Sequence, residues 1–279
     1  MSARHLGRLR TQIGHGIQNV IVIVVMILTL APFLWVASNS IKPRPLIYEY
    51  PPKLLFKPTF EHYVDVFANF KFQNHFRDSA IVAAASTAIA LVAGSLVAYA
   101  IARFRLGGTP FRFFLLAMRT LPGIAIIIPL YAMFRDLGLL DTYWALIIVY
   151  PVYMTPLVAW MMIGFFREVP LEMEEAASID GCSPWGVFWR VVVPVTLPGF
   201  VAAAILNFIG GWNEFLFSLI LTGRNVQTTP VASAGFISNK DVLWGQMAAA
   251  GVAASIPVIT FTIIVQRWLV RGLTLGAVK

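Results

Sequence analysis

The residues best suited to chemistry crowd into one short stretch. Five of the chain's 13 acidic residues fall there: Glu168, Glu172, Glu174, Glu175 and Asp180. Pro170 suits the first position of a helix, where its missing N–H is no loss. Glu172, Glu174 and Glu175 follow in the early turns, where carboxylates complement the helix dipole. Gly181 supplies a left-handed stop. Pro184 opens a second short helix through Arg190, and Pro194 and Pro198 end the segment. A helix lying on a membrane surface is usually rich in lysine and arginine on its polar face. The first helix here is acidic and is better suited to a basic groove on another protein.

Catalytic patterns are missing. No lysine follows a glycine, so there is no phosphate-binding loop of the G-x-x-x-x-G-K type. His5, His15, His62 and His75 lack metal-ligand spacing, and the single cysteine, Cys182, allows no internal disulfide. No metal, cofactor or catalytic residue is expected. Two charges lie inside apolar runs: Arg119, and Glu214 within Trp212-Asn213-Glu214-Phe215. Charges in a bilayer are expensive and often functional. Arg119 either snorkels to the interface or faces a pathway. Glu214 either makes a structural hydrogen bond or lines a solute route. Asn213, Trp212 and Phe217 join it as lining candidates.

The elements that carry these residues follow from composition. The chain is 58% hydrophobic and 12% charged over 279 residues, whereas a soluble domain carries roughly 25% charged residues. A membrane helix needs roughly 20 mostly apolar residues. Six windows qualify: Ile17–Ala37, Ser79–Ala102, Phe113–Phe134, Tyr143–Phe166, Gly199–Leu221 and Trp244–Val270. The third is expected to break at Pro122 and Pro129. No segment alternates as a transmembrane β-barrel would. The expected fold is all-α with six spans. Ala90, Gly94, Ala98 and Ala102 recur every four residues, as do Gly245, Ala249 and Ala253. Such stripes let helices approach closely within one bundle.

Lysine and arginine orient the spans. Arg4, Arg8 and Arg10 precede the first. Arg103, Arg105 and Arg112 follow the second, Arg167 and Arg190 the fourth, and Arg267, Arg271 and Lys279 the sixth. The opposite short loops hold Arg135, Arg224 and Lys240. Both termini are therefore expected in the cytoplasm. The formal charge of +8 is largely a topology signal; lipid is the expected partner and nucleic acid is not. The organisation is residues 1–16 as cytoplasmic N-terminus, 17–270 as the membrane domain and 271–279 as cytoplasmic tail. The membrane domain includes an outer loop at 39–78 and the acidic loop at 167–198. The first apolar run is longer than a signal-peptide core, so cleavage is not expected. The outer loop is rich in proline and aromatics. A short helix is expected within Phe60–Phe70, in a loop that either packs on the helix ends or docks a partner.

Glu175-Ala176-Ala177-x-x-Asp180-Gly181, followed by Phe188, Val191, Pro194 and Pro198, resembles the EAA loop of ABC-importer permeases. Cys182 stands where that family usually has alanine, and Val193 where leucine usually precedes proline. Asn39-Ser40-Ile41-Lys42-Pro43, Pro58-Thr59-Phe60-Glu61-His62-Tyr63, Trp212-Asn213-Glu214-Phe215-Leu216 and the ending Arg271–Lys279 are similar to segments of the smaller of two maltose-type permeases. The resemblance spans nearly the whole chain. It implies the six-span type I importer fold, in a bacterial inner membrane. It implies that Glu175, Ala176, Ala177, Asp180 and Gly181 couple to an ATPase, and that the tail with Leu273, Gly276 and Lys279 reaches the ATPase interface. The implied partners are a second permease, two ATP-binding-cassette subunits and an extracytoplasmic solute-binding protein. The implied solute is a sugar or polyol, with ATP used by partner subunits and none bound by this chain. A non-carbohydrate solute, or a self-sufficient secondary transporter, remains the alternative.

Overall fold

A computed structural model describes residues 3–237 and 241–275, with side chains over 18–264 apart from Leu116 and 238–240. Nine helices carry the argument: α1 (Ala3–Ser40), α2 (Phe72–Phe104), α3 (Gly108–Thr120), α4 (Gly123–Asp136), α5 (Tyr143–Glu168), α6 (Leu171–Ile179), α7 (Leu197–Trp212), α8 (Leu216–Leu221) and α9 (Trp244–Leu275). Among the described residues, extended pairing is limited to one bridge, Ile237 to Val242.

Among the described residues, four helical stretches are long and apolar enough to cross a membrane: Gln18–Ser40, Phe72–Phe104, Tyr143–Glu168 and Trp244–Ile264. Two bent pairs bring the total to as many as six. The α3–α4 pair bends by 80°. Leu121 is extended, with ψ 123°, because the ring of Pro122 disfavours the helical region for its predecessor. Pro129 lies inside α4 without ending it, so the third window breaks once and not twice. In a membrane helix, neighbouring groups can satisfy the carbonyl a proline frees. The second bent pair joins Pro184–Val195 to α7 at 79°. Its first arm runs past the expected end at Arg190, through a wide π turn at Phe188–Val192.

The fifth window also differs from expectation. Helix α7 stops at Trp212, and α8 restarts at Leu216. Sixteen residues give about 24 Å of helix, short of the ~30 Å hydrocarbon core. The break therefore falls within the fifth apolar window. Side chains hold it open. Asn213 Nδ2 donates back to Ile209 O at 2.9 Å, while the Glu214 carboxylate accepts from Phe217 N and Ser218 N at 3.1 and 3.3 Å. Glu214 thus serves the free N–H groups that begin α8.

The described residues form two compact units. One comprises the chain up to Phe70 together with Phe236–Ala253; the other runs from Lys71 to Gly235 and resumes at Ala254. Within the second, α2 packs along α5, and α7 packs on both. Ala90 and Ala98 are fully buried. A Cβ at Gly94 would lie 2.6 Å from Val158 Cβ, so this stripe is a helix–helix seam. Within the first unit, the segment Glu61–Asn69 is helical, in line with the short helix expected there. Gly245 backs directly onto the fully buried His62 ring. His62 Nε2 lies 2.8 Å from Lys42 O, and Lys42 Nζ sits over the Trp35 and Phe56 rings. The 39–70 segment is therefore packed on its own unit through named polar and aromatic contacts.

Candidate functional site

Two features in the second unit concentrate polar groups: the loop helix α6, and a cavity between α3, α5 and α7.

Helix α6 is nine residues long. Pro170 precedes it in extended conformation, and Gly181 follows at φ +87°, a left-handed position favouring glycine. Ser183 accepts from Gly186 N and caps the next turn. The two short helices and their glycine turn thus form as the prolines and Gly181 dictate. Glu172, Glu175, Ala176, Asp180 and Gly181 are exposed, and Ala177 is half-buried. Glu174 points the other way and is buried. Its carboxylate pairs with Arg103 at 2.5 Å and accepts from Tyr99 Oη at 2.6 Å; Arg103 also donates to Val169 O at 2.8 Å. The loop helix therefore hangs from the end of α2 by a buried ion pair. A groove of about 520 Å3 runs beside it, lined by Glu175, Ile179, Pro184 and Val187 among others. Ile179 is 87% exposed and Trp185 61%, so the outward surface mixes acid with bare apolar side chains.

The cavity has a volume of about 370 Å3. Arg119 and Gly123 enter from the α3–α4 bend, Tyr150, Tyr153, Met154 and Leu157 from α5, and Leu206, Asn207 and Gly210 from α7; Glu214 and Phe217 close it at the α7–α8 break. Asn207 Nδ2 is spent on Ala203 O at 2.7 Å. The Tyr153 hydroxyl is buried and has no hydrogen-bond partner among the described residues. The buried Tyr150 hydroxyl lies beside the Glu214 carboxylate. The Tyr153 ring tilts against Phe217 with centroids 5.0 Å apart.

The lining candidates read from the sequence divide here. Glu214 and Phe217 line the cavity. Trp212 is 2% exposed, packs on Phe76 and Phe208, and donates through Nε1 to Ala254 O at 3.1 Å. Asn213 is exposed and bonds its own helix. Leu273 lies in the last turns of α9, while Gly276 and Lys279 lie outside the described residues. Arg103, Glu174, Tyr150, Tyr153 and Asn207 were not singled out as site residues from the sequence. A usable signal existed: Asn207, Gly210, Gly211 and Glu214 repeat at three- and four-residue steps, one helix face.

A third constellation pins loops. Asp141, at φ +59°, accepts backbone N–H bonds from Gly223, Arg224, Asn225 and Val226 at 2.7–3.2 Å. Desolvation pushes its carboxyl up, but the four amides outweigh that and hold it below the usual carboxylate range. Asp78 accepts from Tyr143 Oη at 2.7 Å and Gln227 N at 3.3 Å, and Ser79 Oγ from Thr229 N at 2.8 Å.

Residues 80–275 match the family model of binding-protein-dependent transport system inner membrane components. The chain belongs to this family. It is a multi-pass inner-membrane component of ABC transporters. This permease is 38% identical to the trehalose transport system permease protein SugB of Mycobacterium tuberculosis, over 90% of this chain and 92% of that one. It is 32% identical to the trehalose/maltose transport system permease protein MalG of Thermococcus litoralis, over 92% and 94%. Its fold matches a chain of a crystal structure of a bacterial ABC transporter involved in alginate import, with a TM-score of 0.72 at 22% identity over 92% of this permease and 96% of that chain.

Proposed function

We infer that this permease subunit serves an ATP-driven importer of a sugar or polyol, supplies half of the translocation pathway, and is driven through helix α6. The single observation that carries the coupling role is the division of labour on α6. Glu174 faces inward and ties the helix to Arg103, whereas Glu172, Glu175 and Asp180 face outward. A push on the outward face is delivered to α2 through a short, buried ionic link. The carbohydrate relatives and the similarity of Trp212–Leu216 and the tail to maltose-type permeases support the solute class. Partner subunits bind and hydrolyse ATP; this chain binds none. Glu175, Ala176, Ala177, Asp180 and Gly181 meet one of two ATP-binding-cassette subunits, with Leu273, Gly276 and Lys279 of the tail beside it. A second permease completes the pathway, and a solute-binding protein delivers sugar from outside.

ATP shifts such a bundle only through its differential affinity for the inward- and outward-facing states. Gly181→Val is the direct test. No atom lies within 4 Å of a Cβ at this glycine, so the substitution introduces strain without a clash, costing about 1–2 kcal/mol at a left-handed position. The expected outcome is membrane insertion and ATP hydrolysis near wild type, with sugar uptake reduced at least about tenfold. Uptake at the wild-type rate would remove the coupling role.

A further inference from the structure

We propose that the Pro184–Val195 arm, which follows the coupling helix α6, is seated in the lipid headgroup layer of the membrane, with Trp185 and Trp189 in the interface and Arg190 on a lipid phosphate. The proposal goes beyond the coupling role of α6 and does not depend on which solute is carried.

The argument starts from the two faces of the arm. Val187, Phe188 and Val192 are buried. The Phe188 ring packs on Tyr99 and Phe166, with centroids 5.0 and 6.0 Å away. The opposite face is bare. Trp185 and Trp189 are four residues apart, so they stand on one side of the helix. The stripe continues through Val195 to Leu197, and these four residues are 47–61% exposed. A contiguous run of large, exposed apolar side chains marks an interaction surface. Direction comes from the bend. The arm meets α7 at 79°, and a membrane helix tilts on average by ~20° from the bilayer normal. With α7 as a span, the arm therefore runs within roughly 30° of the membrane plane. Its bare stripe is continuous with the start of α7 at Leu197.

Charge selects lipid over protein. Helix α6 carries Glu172, Glu174 and Glu175, whereas Arg190 is the only charged residue from Pro184 to Val195. Arg190, and Arg167 at the end of α5, are exposed and have no hydrogen-bond or ion-pair partner among the described residues. A basic groove suited to α6 would face Arg190 with like charge. Anionic headgroups attract arginine at a membrane surface. Tryptophan is enriched at the same level, because its ring is apolar and its N–H is not. Interfacial helices combine these features, with basic residues on the polar side and aromatic ones toward the acyl chains. The loop thus divides by chemistry, α6 toward a protein and the arm toward lipid. Gly181, at φ +87°, separates the two, so a push on α6 is delivered against an arm held by the bilayer.

Site-directed fluorescence quenching tests the proposal in the assembled transporter, held in lipid nanodiscs. With Cys182 replaced by serine, Trp185→Cys, Trp189→Cys and, on α6, Glu172→Cys each carry one fluorophore. Val195→Cys reads the same stripe should labelling at a tryptophan position prevent assembly. The quenchers are lipids with a nitroxide near the carbonyl or deep in the acyl chain, and iodide in the water. Labels on the arm should be quenched at least about twofold more by the shallow nitroxide than by the deep one, the depth of an interfacial helix. The label at Glu172→Cys should be untouched by either lipid. Shallow nitroxides on phosphatidylglycerol should quench the Trp189→Cys label more than those on phosphatidylcholine at equal mole fraction. Adding Arg190→Gln should reduce that preference by up to about fivefold, the effect of one arginine at an anionic surface. Quenching of the arm by iodide alone would place it in water and overturn the proposal. Protection from all three quenchers would mean that a protein subunit covers the stripe, and stronger quenching by the deep nitroxide would make the arm part of a span; either result overturns it too. A lipid preference unchanged by Arg190→Gln would overturn the phosphate contact.

Discussion

Adjacent residues of one type have opposite roles in this permease, and the acidic pair Glu174 and Glu175 makes the point. Glu175 is exposed, whereas the Glu174 side chain is 11% exposed and faces an Arg103 side chain that is 9% exposed. Two charges leaving water pay a desolvation cost that their attraction barely repays. Removing one partner is far worse, because the other is left buried and uncompensated. Arg103→Met or Glu174→Met should each destabilise the detergent-solubilised protein by about 3 kcal/mol or more. The double variant should cost clearly less than the sum of the singles, the sign of direct coupling. Thermal unfolding of the four proteins checks this. Additive losses would mean the pair does not act as a unit, and the mechanical link to α2 would have to lie elsewhere.

Loops between elements are fixed by backbone capture rather than by apolar packing. Asp141 gathers four successive amides from 223–226 and so holds the turn before α5 to the turn after α8. Its carboxyl is held below the ordinary range in the folded state. A depressed carboxyl contributes stability that is fully present above the unfolded-chain value, near pH 4, and is lost as pH falls through the lower folded value. Asp141→Asn should therefore lower the Tm at neutral pH by roughly 2–4 °C, for a loss of about 1 kcal/mol. Its stability should fall less steeply than wild type below pH 4. Parallel curves down to pH 2.5 would show that the amides gain nothing from the charge. The elements themselves were largely legible in the amino-acid order, because long apolar runs and a glycine–proline punctuated loop leave compositional traces. The family, too, was legible in Glu175–Gly181. The breaks were not: Pro122 and Pro129 are the same residue seven positions apart, and only packing decides which interrupts a helix. Tyr150 and Tyr153 read as ordinary members of an apolar span, since nothing local reveals whether a hydroxyl finds a partner. Glu174 was lost among its acidic neighbours because its inward turn depends on Arg103, 71 residues away.

Charge distribution over the whole molecule sets which side of the membrane each feature meets. Arg103, Arg105, Arg112, Arg167 and Arg190 flank one end of the spans of the second unit, against Arg135 and Arg224 at the other. That excess predicts that the first end lies in the cytoplasm, the compartment that holds ATP. The coupling role of α6 depends on this orientation, since an ATPase can reach the loop only from there. Glu172 is exposed on α6, and Arg224 is exposed in the turn after α8. The α7–α8 segment separates them along the chain. With Cys182 replaced by serine, each position becomes the sole thiol in turn as Glu172→Cys or Arg224→Cys. A membrane-impermeant maleimide applied to intact spheroplasts should label Arg224→Cys and leave Glu172→Cys unlabelled until detergent opens the membrane. The reverse pattern would put α6 outside, beyond the reach of any ATPase, and would overturn both the orientation and the drive mechanism. Labelling of both would mean that α7 and α8 do not carry the chain across. The 16-residue length of α7 makes that result worth excluding, because it is shorter than the bilayer core by about 6 Å. Only a crossing completed beyond the Glu214 break reconciles its length with a single labelled side.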